Sequence, residues 1–177
     1  METTSNIDVQ TATSQHQRYI PDILAAIYQA SKVKGNSIVM RDPNYLAQKM
    51  EEGKAVIALR GEEFVGFCYL ESWQGGKFVA NSGMIVRPEY RGQGVATRIK
   101  AAIVQICRTK FPDAKIFGIT KSEAVIKMSL RLGFKKVPYS ALTTDPAFWK
   151  GCDTCPYYHI LQSNNGKACE CQALLFE

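Results

Sequence analysis

The stretch from Met84 to Lys110 constrains the fold of this chain more than any other. It begins with three apolar residues of strand type, and this strand has to end where Pro88 follows, because proline has no backbone N–H to donate to a ladder. From Val95 onward, apolar residues recur at intervals of three and four, which predicts one buried helical face. The pattern therefore predicts a strand, a glycine-containing loop and a helix in direct succession.

The loop between this strand and this helix has the composition of an anion-binding turn. Gly92 and Gly94 lack a Cβ, so the backbone can take positive φ and a ligand can approach its amides closely. The first N–H groups of the helix lack intrahelical partners and lie at the positive end of its dipole. Arg91 adds charge and Thr97 adds a hydroxyl, so the turn is suited to a pyrophosphate. Two glycines alone would fit an ordinary strand-to-helix turn equally well.

The full run is more specific than its glycines. Arg91-x-x-Gly94-x-Ala96, after a strand that ends Val-x-Pro-x-Tyr, resembles the acyl-CoA-binding motif of the GNAT N-acetyltransferase superfamily. The dinucleotide fingerprint has a different spacing, Gly-x-Gly-x-x-Gly. The resemblance implies an α/β (α+β) fold with a mixed, mostly antiparallel sheet, a splayed central strand pair and helices on both faces. It also implies acetyl-CoA or another acyl-CoA as co-substrate, bound by Met84, Ile85, Val86, Arg91, Gly92, Gln93, Gly94, Val95, Ala96 and Thr97.

The remaining elements follow the order that the GNAT fold uses. After a loose tail over residues 1–6, hydrophobic periodicity and turn residues predict strands over 7–13, 55–59, 64–73, 77–86, 115–120, 135–142 and 169–176. Helices are predicted over 20–33, 43–52 and 95–110, and from an N-cap at Thr120 to Leu132. Leu132-Gly133-Phe134 is a further GNAT-like feature. We expect one domain over 1–177, with a cysteine-containing insertion at about 143–171.

Composition narrows the class of partner. The chain has 177 residues, a net charge of +6, and ordinary globular fractions of hydrophobic and charged residues. Its basic residues are dispersed, which argues against nucleic acid, whereas a modest positive field suits a phosphorylated co-substrate. No apolar run approaches the roughly 18 residues that a membrane span needs, and the N-terminus has no signal-peptide core. We therefore expect a soluble cytoplasmic protein that does not bind membranes.

The catalytic groups implied by the resemblance are only partly present. Many relatives carry a glutamate on the strand that leads to the glycine loop, but residues 79–83 contain no acid. We predict Glu71, on the neighbouring strand, as the general base, with Glu123 behind it; a solvated strand-end charge is the alternative. Ser129 occupies the position of a tyrosine general acid in many relatives, and could instead be a small packing residue. Arg41 could pair with a substrate carboxylate or be a solvated loop charge.

Four of the six cysteines form two close pairs near the C-terminus. Cys152-x-x-Cys155 has the spacing that lets two sulfurs face one ion, and Cys169-x-Cys171 lies on a predicted strand, where alternate residues point to one side. These four thiolates could hold a structural zinc ion, with His159 as a spare ligand. Free thiols or a redox-labile pair are the alternatives. Without a secretory signal, thiols or metal ligands are favoured over disulfides.

The function implied is N-acyl transfer from an acyl-CoA to a primary amine of a small molecule. The chain as a whole, including its cysteine tail, is similar to bacterial N-acylglutamate synthases. This similarity suggests that the acceptor is the α-amine of an amino acid such as glutamate, and that the protein has a role in amino-acid metabolism. A protein or peptide N-acetyltransferase, a non-catalytic acyl-CoA-binding or sensing domain, and a zinc-dependent interaction module are the alternatives. The sequence is compatible with a homodimer.

Overall fold

The computed structural model describes residues 6–36 and 38–177, and its seven strands form one mixed sheet. The strands are β1 (Asp8–Thr11), β2 (Ala55–Arg60), β3 (Glu63–Trp73), β4 (Phe78–Val86), β5 (Lys115–Thr120), β6 (Lys135–Val137) and β7 (Gln172–Phe176). Their spatial order is β1-β2-β3-β4-β5-β7-β6, and every neighbouring pair is antiparallel except β4 and β5. The predicted mixed, mostly antiparallel sheet is confirmed. Residues 1–5 of the predicted tail lie outside the described residues.

Helices cover both faces of this sheet, as predicted. They are α1 (Ile20–Ser31), α2 (Pro43–Glu51), α3 (Val95–Lys110), α4 (Glu123–Arg131), α5 (Pro146–Lys150) and α6 (Tyr158–Ser163). Side chains of β2 alternate between the faces: Val56 packs in the core with α3, and Ile57 packs in the core with α1 and α2. Both faces are therefore buried, which explains why β2 is apolar almost throughout. No described helix is both long and apolar enough to cross a bilayer.

The only parallel strand pair of the described sheet, β4 and β5, separates along its length. It pairs at Phe78 with Lys115, Val79 with Ile116 and Ala80 with Phe117, and its ladder ends there. Past this point β5 continues to pair with β7 on its other side, up to Thr120 opposite Gln172. The splayed central pair that the resemblance implies is confirmed. Below, the "gap" denotes the space between β4 and β5 that opens at Asn81 and Gly118.

A β-bulge shapes the side of β4 that borders the gap. Phe67 of β3 pairs with Ile85 and Tyr69 pairs with Ser82, so Gly83 and Met84 together stand opposite one residue of β3. Gly83 has φ +63°, and a Cβ there would lie 2.6 Å from Cε1 of Tyr69, so the position requires glycine. A bulge leaves backbone groups unpaired and bends the strand. The backbone next to the predicted pantetheine-binding residues is therefore free of the regular ladder.

The C-terminal region differs most from the sequence predictions. The last strand starts at Gln172 instead of Cys169, because its ladder begins opposite Thr120, the last residue of β5. Placing Cys169 and Cys171 on that strand was therefore wrong. The preceding strand ends at Val137 and not at residue 142, since Pro138 follows and cannot donate to a ladder.

The insertion and the start of α4 also differ from the sequence predictions. The insertion, for which the sequence analysis gave no regular elements before residue 169, contains α5 and α6. The N-cap of α4 is Ser122, whose Oγ accepts from the Val125 N–H at 3.3 Å, and not Thr120. Thr120 instead accepts a hydrogen bond from the Ser122 N–H at 3.1 Å, which turns the chain into the helix.

Candidate active site

The loop before α3 presents an open helix N-terminus. Gly92 and Gly94 have φ of +75° and +78°, and Gly94 is the N-cap in the left-handed region. No side chain caps the helix and its first turn carries no acid. A Cβ built at either glycine would meet no described atom within 4 Å, so the space above the loop is free. The N–H groups of this turn can therefore receive an anion, as the sequence predicted for a diphosphate.

Two side-chain hydrogen bonds hold the loop in this shape. Arg91 donates from Nε to the Val86 carbonyl at 3.0 Å, which ties the loop to the end of β4. Gln93 donates from Nε2 to the Glu89 carbonyl at 3.2 Å. Val95 is buried against the core and anchors the first turn, whereas Thr97 is exposed beside the loop. The loop is therefore preorganised for a ligand before any ligand binds.

The predicted pantetheine-binding residues line the gap. Ile85 and Val86 are buried and Met84 is partly exposed. Along this part of β4 there is no ladder to β5, and the bulge at Gly83 and Met84 also interrupts the ladder to β3. Backbone amides here can donate to the amides of a pantetheine arm and to a thioester carbonyl. Assignment of these residues to co-substrate binding remains a prediction.

On the α1–α2 face, Arg41 is fixed in a position suited to a carboxylate. Its Nε donates to the Tyr69 hydroxyl at 2.5 Å, Nη1 donates to the Val39 carbonyl, and Nη2 lies 3.4 Å from Ser82 Oγ. A guanidinium has five N–H donors, so one remains on each terminal nitrogen. Within the described residues Arg41 forms no salt bridge. The two remaining donors could form the fork that binds a carboxylate with two hydrogen bonds.

The predicted base, Glu71, lies on the same face of β3 as Tyr69, two residues away. It pairs in register with Ala80, the last residue of β4 that is paired to β5, so it stands level with the start of the gap. Partial burial raises the pKa of the Glu71 carboxyl, and the nearby Arg41 charge opposes this rise. A carboxylate with a raised pKa is a stronger base than a solvated one, which suits deprotonation of an amine. The role of Glu71 stays a prediction.

The predicted acid, Ser129, is fully buried in α4. Its hydroxyl donates to the Val125 carbonyl of the preceding turn at 2.8 Å. The one proton of this hydroxyl is thus engaged with the helix backbone, and donation to a leaving thiolate would first require that hydrogen bond to break. The predicted role of Ser129 therefore finds no geometric support beyond its position.

Two aromatic contacts, which the sequence analysis did not single out, join the insertion to this face. Trp73 follows Glu71 by two residues on β3 and meets the ring of Phe148 edge to face, with 5.5 Å between centroids. Phe148 in turn packs on Phe117 of β5. The Trp73 Nε1 is buried without a hydrogen-bond partner among the described residues. The insertion therefore packs beside the β3 segment that carries Glu71, and the unpaired indole donor of Trp73 lies at this contact.

The four tail cysteines lie near one another but do not form a metal site in this structure. Burial raises the pKa of Cys152 to about 11, and the neighbouring Cys155 and Cys169 add to this rise. Burial likewise raises the pKa of Cys171 to about 12, and the other three tail cysteines add to it. All six cysteines are free thiols. Across residues 6–36 and 38–177, no group of three or more His, Cys, Asp or Glu side chains is arranged to hold a metal ion. The predicted zinc site is therefore not supported.

Two surface hollows, of about 570 and 480 Å³, lie on the insertion and share Trp149 and Gly166. Neither is lined by the glycine loop, the gap or Glu71. The candidate active site is therefore the gap, an opening between two strands, and not either of these hollows.

Comparison with known families shows which family this chain belongs to. The model of the Acetyltransferase (GNAT) family matches residues 22–134, which is most of the chain and includes the gap, the loop and α3. The chain belongs to the GNAT family. Its predicted membership and fold are thereby confirmed.

Solved structures with the same fold are distant in sequence. N-acetylglutamate synthase from Neisseria gonorrhoeae, solved with coenzyme A and N-acetyl-glutamate, matches with a TM-score of 0.68 and 16% identity over 98% of this GNAT chain. The chain spans only 35% of that protein. Ribosomal-protein-alanine N-acetyltransferase from Brucella melitensis matches with a TM-score of 0.66 and 14% identity, covering 96% of this chain and 98% of that one.

A third solved structure contains the co-substrate expected here. The yncA protein from Salmonella typhimurium, solved with its cofactor acetyl-CoA, matches with a TM-score of 0.63 and 14% identity, covering 98% of this chain and 94% of that one. No curated protein sequence matches this chain. At these identities the structural matches establish the fold, and they leave the acceptor to be argued from this chain's own residues.

Proposed function

We propose that this GNAT chain transfers an acetyl or other short acyl group from acyl-CoA to the primary amine of a small molecule, an amino acid such as glutamate being the best-supported class. The observation that carries the proposal is the gap between β4 and β5, which begins at Asn81 and runs along β4 to Val86, where Arg91 ties down the loop that leads to the uncapped N-terminus of α3. A diphosphate bound at that terminus would let the attached arm run along Met84 to Val86. Its thioester would then lie near the start of the gap.

The residues around the start of the gap support a direct transfer. Glu71, level with Ala80, takes the proton from the incoming ammonium, either directly or through one water. The neutral amine attacks the thioester carbonyl carbon, and the oxyanion that forms accepts hydrogen bonds from backbone N–H groups at the bulge, where the ladder to β3 is interrupted. The carbon–sulfur bond then breaks, the thiolate leaves, and the nitrogen gives up its second proton to solvent, so the product is a neutral amide. A thiol has an ordinary pKa of about 8.5, so its thiolate is a moderately good leaving group.

Arg41 supports an acceptor that carries a carboxylate near its amine. Its two uncommitted N–H donors lie beside Tyr69, on the same face as Glu71, and its charge acts on the pKa of Glu71. One α-amino acid could thus place its carboxylate on Arg41 and its amine near Glu71. The structural similarity to a synthase solved with N-acetyl-glutamate supports the same class.

The test is release of free CoA thiol from acetyl-CoA, measured over a panel of amines. The panel contains glutamate and glutamine, each matched with the amine that lacks its α-carboxylate; for glutamate this amine is 4-aminobutanoate. Short peptides complete the panel. We expect turnover with α-amino acids and loss of turnover when the α-carboxylate is absent. Turnover only with peptides would identify a peptide N-acetyltransferase. Tight CoA binding without turnover of any amine would instead identify a non-catalytic acyl-CoA-binding domain.

A matched pair of variants separates recognition from general charge effects. Arg41→Met should raise KM for α-amino acids by about tenfold to a hundredfold, the range expected for loss of a charge-assisted pair. Arg131→Met removes the same charge at the exposed end of α4, on the other face of the sheet, and should leave KM unchanged. Equal effects of both variants would contradict a specific role of Arg41.

A further inference from the structure

Lys100 is a buried cation at the start of the gap. It lies on α3 in a position that the helical pattern fills with core side chains, and it is 2% exposed. Its Nζ donates to Asn81 Oδ1 at 2.8 Å and lies 4.4 Å from the centroid of the Phe134 ring. Among the described residues it has no salt-bridge partner. A buried lysine without a carboxylate is costly and calls for a functional explanation.

The position of Asn81 locates this ammonium relative to the gap. Asn81 is the first residue of β4 beyond the last pair with β5, and Gly118 is the corresponding residue of β5. The Asn81 Oδ1 atom would lie 3.6 Å from a Cβ built on Gly118, so the Asn81 side chain spans the point where the strands separate. Lys100 Nζ is therefore held at the closed end of the gap, which is where the thioester end of a bound acyl-CoA would arrive.

The ammonium also has hydrogen-bonding capacity left over. It has three N–H donors, of which one is used by Asn81 and one faces the Phe134 ring. The titratable groups that face it are Cys68 of β3 and Cys107 of α3, whose pKa values burial raises to about 12. Both stay neutral thiols at neutral pH, so neither supplies a counter-charge. An anion that formed in the gap would be the missing partner of this cation.

We propose that Lys100 is the proton donor and charge partner for the CoA thiolate that leaves during acyl transfer, a role for which Ser129 has no free proton. The assignment rests on the proposed acyl-transfer function. The amine nitrogen bonds to the carbonyl carbon and loses a proton to solvent, and the carbon–sulfur bond breaks with its electron pair passing to sulfur. Lys100 gives a proton to that sulfur and becomes neutral, and it regains a proton from solvent after CoA leaves.

The protonation equilibrium of Lys100 suits this exchange. Burial lowers its pKa to about 8, which is close to the ordinary pKa of a thiol, about 8.5. Proton transfer between groups of matched pKa is efficient in either direction. At neutral pH most Lys100 side chains still carry the proton, so the donor is present in the state that binds acyl-CoA.

The deciding experiment titrates the thiol of bound CoA and does not need an acceptor. The ultraviolet absorbance of the thiolate is measured against pH as the difference between the complexes with CoA and with desulfo-CoA, which lacks the thiol. The proteins are the wild type, Lys100→Met, which keeps the side-chain length and loses the ammonium, and Lys110→Met, which removes an exposed charge from the same helix. We expect the bound thiol to titrate at least about one pH unit higher in Lys100→Met than in the other two.

Turnover gives a second readout. Lys100→Met should lower kcat by about 100-fold, the lower limit for loss of a general acid, while Kd for CoA changes less than about threefold. Because methionine suits a buried site, this variant should fold. Should it close the gap and weaken CoA binding, Lys100→Gln, which keeps a polar end, takes its place. Identical thiol titrations in wild type and the Lys100 variants would overturn the assignment.

The same measurements separate this inference from the proposed function. A wild type that binds CoA but acylates no amine would refute the acyl-transfer function, and the thiol titration would still report whether Lys100 acts on the sulfur. A wild type that does not bind CoA would refute both. Turnover with an unchanged thiol titration in the Lys100 variants would refute only the role of Lys100.

Discussion

Arg41 donates a hydrogen bond from Nε to the buried Tyr69 hydroxyl over 2.5 Å, so a residue of the loop before α2 is held against the middle of the sheet. This contact joins the part of the chain that would recognise an acceptor to the strand that carries Glu71. It also fixes the orientation of the guanidinium, because the same side chain donates to the Val39 carbonyl.

Tyr69→Phe removes only the hydroxyl that positions Arg41. We expect KM for α-amino acids to rise by about fivefold to tenfold, less than in Arg41→Met, because the guanidinium remains and loses only one positioning hydrogen bond, with kcat less affected. KM for acyl-CoA should not change. Steady-state kinetics over both substrates measure this, and an equal rise in KM for both would point to a general loss of structure.

Glu71→Gln should remove the base and lower kcat by about 100-fold or more. In the wild type, activity should fall as pH decreases through the pKa of Glu71, which lies above the ordinary carboxyl value because the group is partly buried. Arg41→Met removes the positive charge that opposes this rise, so the acidic limb should move to higher pH. A pH–rate profile that keeps its acidic limb in Glu71→Gln would exclude Glu71 as the base.

Gly94→Trp should abolish CoA binding, because the indole would fill the open space above the helix N-terminus and the position has φ +78°. The matched control is Gly61→Trp in the β2–β3 turn, where φ is +61° and the surroundings are equally open. Calorimetric titration with CoA should give no binding for the first variant and unchanged binding for the second. Retained affinity in Gly94→Trp would mean that the co-substrate does not lie on this loop.

Gly83→Ala should destabilise the fold more than Gly61→Ala. Both positions have positive φ, but only at Gly83 would the new Cβ lie 2.6 Å from the Tyr69 ring. Backbone strain accounts for about 1–3 kcal/mol at either site, and displacement of a buried ring adds about 1–3 kcal/mol at Gly83 alone. Urea unfolding of both variants measures the difference, and equal losses would show that the bulge tolerates a side chain.

The stability difference between Lys100→Met and the wild type should depend on pH. The folded protein releases the Lys100 proton near pH 8, whereas the unfolded chain holds it to about the ordinary value of 10.5. Between these values the unfolded state binds more protons, so the stability of the wild type rises with pH by up to about 1.4 kcal/mol per unit. The free energy of unfolding of Lys100→Met should therefore exceed that of the wild type most below about pH 8, and the difference should shrink above that pH. An advantage that stays constant from neutral to alkaline pH would contradict a buried ammonium at this position.

The elements around the co-substrate site were predictable because local rules determine them. Pro88 ends β4, Gly92 and Gly94 supply positive φ, and the three–four spacing from Val95 describes a buried helix face. These residues act through their own backbone, so their effect can be read from the sequence around them.

The remainder depends on contacts between distant residues. Lys100 reads as an ordinary helical lysine until Asn81 and Phe134 are brought to it by the fold. Gly83 carried a usable signal, because a glycine inside a strand often marks a bulge. The first residue of β7 is determined by pairing with the last residue of β5. The residues near Cys169 carry no local signal of that pairing.

A crystal structure of the chain with bound CoA would decide whether the co-substrate occupies the glycine loop and the gap. We predict that the diphosphate accepts hydrogen bonds from the backbone amides of residues 92–97 and that the arm lies between β4 and β5, with its sulfur near Lys100 Nζ. A CoA molecule bound elsewhere, or β4 and β5 fully paired beyond Ala80 and Phe117 in the complex, would contradict it.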